Sequence, residues 1–318
     1  MAGEKPLVQA WETHGAGQAM LLQLRGQAQF LTRRGTLMYQ AINNFIRVKD
    51  LAQKRSPSPI ISPEPGSIYD NPYTLKAATL LSKVTSLQGD GWKLIEEARN
   101  GAIAQAELLL LLGDALATER ELEAWQKQCP RDWHPITRLY STSSPAASPN
   151  PVPRYTFPPR IQIFQEPTIG GLWCSLQAGR IRLLQTMIEC TNVLGTPAIQ
   201  ASAAFSWKTL SSQVRDAVDD ICSAVPYFLG DIDSAGNLCL PAMSKPADAL
   251  LILWPLHVCA LVDDVDDTYF DWILTQLYRV GDIVGCRHAI ELEEYQTLRQ
   301  VSGREVHSSL LVQGMNLS

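Results

Sequence analysis

The stretch "CALVDDVDDTYFDW", from Cys259 to Trp272, runs an apolar segment straight into four aspartates. Asp263, Asp264 and Asp267 spell D-D-x-x-D, the spacing with which a magnesium-dependent terpene cyclase holds a diphosphate. On a helix, Asp263 and Asp267 would share a face, with Asp264 beside them. Such a cyclase also needs a second metal motif well downstream, with Asn or Asp, Ser or Thr, and Glu at fixed steps. No such phrase follows Asp267. The nearest, "DDICSAVPY", lies upstream and puts Tyr227 where the Glu belongs. Helix grammar accounts for the acids better. Thr268 and Asp271 form a T-x-x-D capping pattern, and acids in a first turn favour the positive end of the helix dipole. Phe270, Ile273, Leu277, Val280 and Val284 then mark the buried stripe of the helix that follows.

The remaining chemistry is sparse. Five histidines (His14, His134, His257, His288 and His307) show no paired ligand spacing such as H-E-x-x-H, so no metal site is expected. His257 stands apart inside the apolar "LWPLHVCAL", where an imidazole needs a hydrogen bond and its pKa is easily moved. A satisfied core histidine is the ordinary reading of such a residue. Nucleophile elbows and phosphate loops are absent, and "GAGQAM" lacks the strand and third glycine of a dinucleotide fingerprint. No cofactor is expected. Seven cysteines are scattered without any C-x-x-C, which suits buried free thiols in a reducing compartment.

Positioning these residues falls to helices. "AMLLQLRGQAQFL" and "LMYQAINNFIRV" repeat apolar residues at three- and four-residue steps, including Leu37, Ala41, Phe45 and Val48. Gly35 is expected to separate these two helices and close the first. "TLKAATLLSKVTSL" and "AIAQAELLLLLGDALATERELEAWQKQ" continue the pattern, and strand alternation is scarce. Four further helices are expected from "LWCSLQAGRIRLLQTMIECTNVL", "TLSSQVRDAVDDICSAVPYFLG", "ADALLILWPLHVCALV" and the segment beginning "DTYFDWILTQLYRVGDIV". Proline-rich stretches over 54–72 and 141–169 are expected to be irregular, mobile connectors. The expectation is one all-α domain over 1–318, an irregular helical bundle. Trp173, Trp207, Tyr227, Phe228, Trp254, Tyr269, Phe270 and Trp272 read as core rings at helical spacing, and Pro255 would free a carbonyl and bend its helix.

Five phrases in order resemble the fungal-specific transcription factor domain, the helical region that follows a binuclear zinc cluster in fungal regulators. They are "THGAGQAMLLQLRGQAQF", "GLWCSLQAGRIRLL", "VDDICSAVPYFLGD", "LLILWPLHVCAL" and "LYRVGDIVGCRHAIEL", spread from Trp11 to Leu292. The resemblance implies an all-α fold and a fungal origin. The first phrase begins at Thr13, so the zinc cluster and first helices of the family pattern are missing.

Net charge is −5, which gives no basic footprint for phosphates, so no direct nucleic-acid binding is expected. The N-terminus carries no apolar signal core, and the apolar run Ala249 to Val262 is too short to span a bilayer. An intracellular, cytoplasmic protein is expected, or a nuclear one if it regulates transcription. Two functions remain. One is a helical body repurposed as a cofactor-free enzyme, cyclising, isomerising or cycloadding an apolar secondary metabolite by confinement and hydrogen bonding. His257 and Tyr227 are its candidate catalytic donors, with Trp254, Trp173 and Phe228 as pocket walls. The other is a ligand- or partner-binding regulator without its own DNA reader. Exposed helical faces leave a homodimer open. The capping account of "VDDVDD" makes its own prediction: calorimetry with magnesium and a prenyl diphosphate should show no binding. A binding heat that vanishes in Asp263→Ala would restore the metal clamp.

Overall fold

Helical periodicity becomes eight α-helices among the described residues of the computed structural model, which are 6–52, 58, 71–101, 105–139, 159–195, 204–239 and 245–285. They are α1 (Pro6–Arg25), α2 (Arg33–Ala52), α3 (Pro72–Arg99), α4 (Gln105–Gln128), α5 (Pro167–Leu194), α6 (Trp207–Phe228), α7 (Pro246–Ala260) and α8 (Asp267–Val284). Two short strands, β1 (Ile136–Leu139) and β2 (Arg160–Ile163), pair antiparallel with Ile136 opposite Ile163. The class is all-α.

Local chemistry sets the helix ends. Asn71 caps α3, its side-chain oxygen accepting from the amides of Tyr73 and Thr74 at 2.9 and 3.3 Å, with Pro72 in the first position. The cap of α8 is Asp266, whose Oδ1 accepts from the Tyr269 amide at 2.9 Å. The capping pattern expected at Thr268 is thus displaced by two residues. Asp266 has the extended backbone that aims a carboxylate at an orphan amide, whereas Thr268 already lies inside the first turn. Asp263 and Asp264 sit in the preceding turn, so they do not share a helix face with Asp267. Asp264 pairs with Arg215.

The first helix ends at Gly26, in the left-handed region at φ 56°, and not at Gly35. Gly35 lies within α2, where an added Cβ would collide with the Gln29 carbonyl oxygen. It serves a close backbone approach. Leu37, Ala41, Phe45 and Val48 lie on α2 as expected, but their side chains fall outside the described residues. So do the side chain of His14, and His288 and His307 altogether.

The chain, read from its sequence as one domain, is organised as two compact units. The first comprises Met1–Pro130 with Gly179–Val214, the second Arg131–Ala178 with Arg215–Ser318, so α5 and α6 contribute to both. In the first unit α3 and α4 pack along each other, burying Leu80, Leu81, Val84, Leu108, Leu112 and Leu122. Gly91 of α3 lets α5 come close, since a Cβ there would meet Thr186 Cγ2 at 2.7 Å. The buried Glu119 accepts from Arg180 Nε at 2.6 Å. Burial pushes that carboxyl up, and the guanidinium opposes the shift.

In the second unit one carboxylate gathers three elements. Asp220 on α6 accepts from Arg160 Nη2 at 2.9 Å and Gln162 Nε2 at 3.1 Å, both on β2. Its other oxygen accepts from Gln177 Nε2 of α5 at 2.6 Å. A second carboxylate, the buried Asp231, takes both Nη atoms of Arg279 on α8 at 3.1 and 2.7 Å. The irregular connector expected over 141–169 therefore needs correcting from residue 160 onward. There β2 forms, with Ile161 and Ile163 buried, and α5 begins at Pro167. The connector 54–72, apart from Ser58, Asn71 and Pro72, and residues 140–158 lie outside the described residues.

Six cysteines are described as free thiols, and all but Cys239 are buried. Burial pushes the Cys190 thiol up to about 12, so it stays protonated and unreactive. No helix among the described residues is long and apolar enough to cross a membrane. The Asp220 hub carries a stability prediction. Asp220→Ala leaves the buried amides of Gln162 and Gln177 without this acceptor, while the part-exposed Arg160 can turn to water, and should lower stability by roughly 1–2 kcal/mol, read as a lower midpoint in urea unfolding. An unchanged midpoint would show that these contacts contribute nothing.

Candidate functional site

The second unit holds every site residue expected from the sequence, and their contacts fall into three groups. Tyr227 and Phe228 close α6, with ring centroids 5.5 Å apart and edge to face. Phe164, between β2 and α5, adds a third ring 6.0 Å from Tyr227 and 6.2 Å from Phe228. His257 stacks on Trp254, one turn earlier on α7, at 5.5 Å and 26°. Trp173 on α5 lies 5.7 Å from the ring of His134. Of the eight rings read as core, five are buried, Tyr227 and Trp272 are half-buried, and Trp207, the first residue of α6, is 58% exposed.

Two adjacent glycines bring α5 close to this region. At Gly170 a Cβ would stand 2.7 Å from Phe164 and 3.0 Å from Phe228, and at Gly171 it would stand 3.0 Å from Leu251 of α7. Small residues at successive positions thus let one helix approach the aromatic group on one side and α7 on another. Pro255 lies inside α7 as expected, leaving the Leu251 carbonyl without its usual amide partner four residues on.

Tyr227 is half-buried, packed on Ile161, Ile163 and Ile232. Burial pushes its phenol up, and the charges of Asp248 and Glu166 push it further. The hydroxyl therefore remains a hydrogen-bond donor throughout the physiological range. Asp248, near Tyr227, sits in the first turn of α7. His257 lies on the last turn, about 14 Å further along the axis at 1.5 Å per residue. Tyr227, on α6, thus neighbours the start of α7, whereas His257 lies at the end of that helix. Trp254 is 7% exposed, and its indole N–H has no hydrogen-bond partner among the described residues.

A second cluster escaped the sequence reading. Cys174 on α5, Cys222 on α6 and Cys259 on α7 are all buried, with Cys222 against Cys259 and the Tyr269 hydroxyl against Cys222 and Asp219. Burial pushes the Cys174 and Cys259 thiols and the Tyr269 phenol well above their ordinary ranges. Phe164, Glu166 and Asp248 were likewise missed. The phrase "IFQEP" holds two of them, but no local pattern connects it to Tyr227. Among the described residues no group of three or more His, Cys, Asp or Glu side chains is placed to hold a metal ion.

No family model, curated protein or solved structure matches the chain.

The buried phenol gives a pH prediction. The fold favours neutral Tyr269, so the native protein keeps a proton that the unfolded chain releases above about pH 10. Its contribution is complete below that pH and is lost as the pH rises beyond it. Stability should fall above pH 10, and Tyr269→Phe should flatten the fall. Tyrosinate absorbance from this ring in the still-folded protein would contradict the assignment.

Proposed function

We propose that the second unit binds an apolar small molecule beside the half-buried Tyr227, whose ring is backed by the buried Phe164 and Phe228, and that the protein acts on it as a cofactor-independent enzyme. The observation that carries this reading is Tyr227: a half-buried phenol, kept protonated by burial and two nearby carboxylates, at the edge of an aromatic wall. A donor so placed can hold a ligand carbonyl and strengthen its hydrogen bond as negative charge develops on that oxygen. The buried Phe164 and Phe228 behind it keep water from that side of the phenol, and confinement there would favour one folded conformer of a flexible substrate. Cyclisation, isomerisation or cycloaddition of a preformed reactive intermediate fits such a site.

The five ordered phrases that resemble the fungal transcription factor domain support a shared helical ancestry, and they favour the second reading, a ligand-binding regulator. Deleting the gene separates the two. An enzyme leaves transcripts of neighbouring genes intact and lets an unprocessed intermediate accumulate, whereas collapsed transcripts with no accumulated intermediate overturn the enzymatic reading. With the accumulated compound as substrate, Tyr227→Phe should lower kcat/KM roughly 100-fold and leave folding intact. Full activity in Tyr227→Phe would remove the phenol from the mechanism, and full activity in a folded His257→Ala would remove the imidazole.

A further inference from the structure

The connector after α2 reads "KRSPSPIISPEP", with serine before proline at Ser56, Ser58 and Ser62. Ser58 is held by a buried carboxylate. Asp50, 1% exposed on the last turns of α2, accepts from the Ser58 amide at 2.7 Å through Oδ2 and from the Ser58 hydroxyl at 2.7 Å through Oδ1. Arg47 completes the contact, donating to the Ser58 carbonyl at 2.9 Å and to Asp50 at 3.4 Å. These bonds account for the burial of Asp50, since an ionised carboxylate out of water must be hydrogen-bonded or paired.

We propose that Ser58 is a phosphorylation site for a proline-directed serine kinase, and that the phosphate separates Ser58 from Asp50 and Arg47 of α2. The Ser58 oxygen would attack the γ-phosphorus of ATP. A new O–P bond forms, the bond to the β–γ bridging oxygen breaks, ADP leaves, and the hydroxyl proton passes to the kinase base. Proline at the following position fixes φ and offers no amide N–H, the feature by which such kinases select serine. The consequence follows from charge. The modified oxygen loses the proton it donates to Asp50 and gains a group of about −1.5 to −2 charge. That charge would stand against a carboxylate 2.7 Å away. Arg47 is a single cation, already shared between Asp50 and the Ser58 carbonyl, and cannot neutralise both anions. Separation of Ser58 from Asp50 relieves the repulsion.

The test uses the full chain carrying Ser56→Ala and Ser62→Ala, a purified proline-directed kinase and ATP, with mass spectrometry to place the phosphate. Phosphate on Ser58 should lower Tm by about 5 °C and speed amide exchange at the end of α2. Asp50→Asn should remove most of that fall. The proposal is overturned if the folded chain refuses phosphate at Ser58 while the denatured chain accepts it. It is equally overturned if Tm is unchanged, or if Asp50→Asn shows the same fall. Should Asp50→Asn not fold, Ser58→Glu must melt below the isosteric Ser58→Gln, and equal melting of that pair overturns the proposal.

Discussion

A carboxylate that cannot be fully solvated must be met by donors, and in the second unit that requirement draws separate segments together. Asp220 collects Arg160 and Gln162 from β2 and Gln177 from α5, residues far apart in the chain. Once β2 is fixed against α5 and α6, Ile161, Ile163 and Ile232 form an apolar floor, and Tyr227 rests on it. Phe164 follows directly from the end of β2 and completes the group of three rings. The phenol's surroundings are therefore a consequence of where one aspartate finds its partners.

Burial pushes every acid here toward its neutral form, and the groups differ in what opposes it. It keeps thiols and phenols neutral, which suppresses cysteine nucleophilicity and preserves Tyr227 as a donor. Where a carboxylate is buried, the fold supplies cations or amides to meet it, as at Asp231 and Asp50. The acidic run that first suggests a metal clamp belongs to neither class. Asp263, Asp264, Asp266 and Asp267 are exposed; one pairs with Arg215 and another caps α8.

The proposed ligand surface and the Asp50–Ser58 contact lie in different units and rest on different physics. The first depends on apolar contact around a single protonated donor. The second depends on charge at a buried site, which a covalent anion can reverse.

What the sequence determined by itself is the helical class and the course of each long helix. Apolar residues at three- and four-residue steps report a face that must be buried whatever it packs against, as Phe270, Ile273, Leu277 and Val280 do on α8. Its failures lie where two positions were locally equivalent. Asp266 and Thr268 can each cap a helix, and Gly26 and Gly35 can each end one; the backbone path chooses between them. Only tertiary structure decided the β1–β2 pairing, the donors gathered on Asp220, the meeting of Cys222 with Cys259, and the placement of Asp248 beside Tyr227. These are contacts between distant segments. Nothing in a residue's immediate neighbours encodes which remote side chain will satisfy it, because that is settled by how whole helices pack.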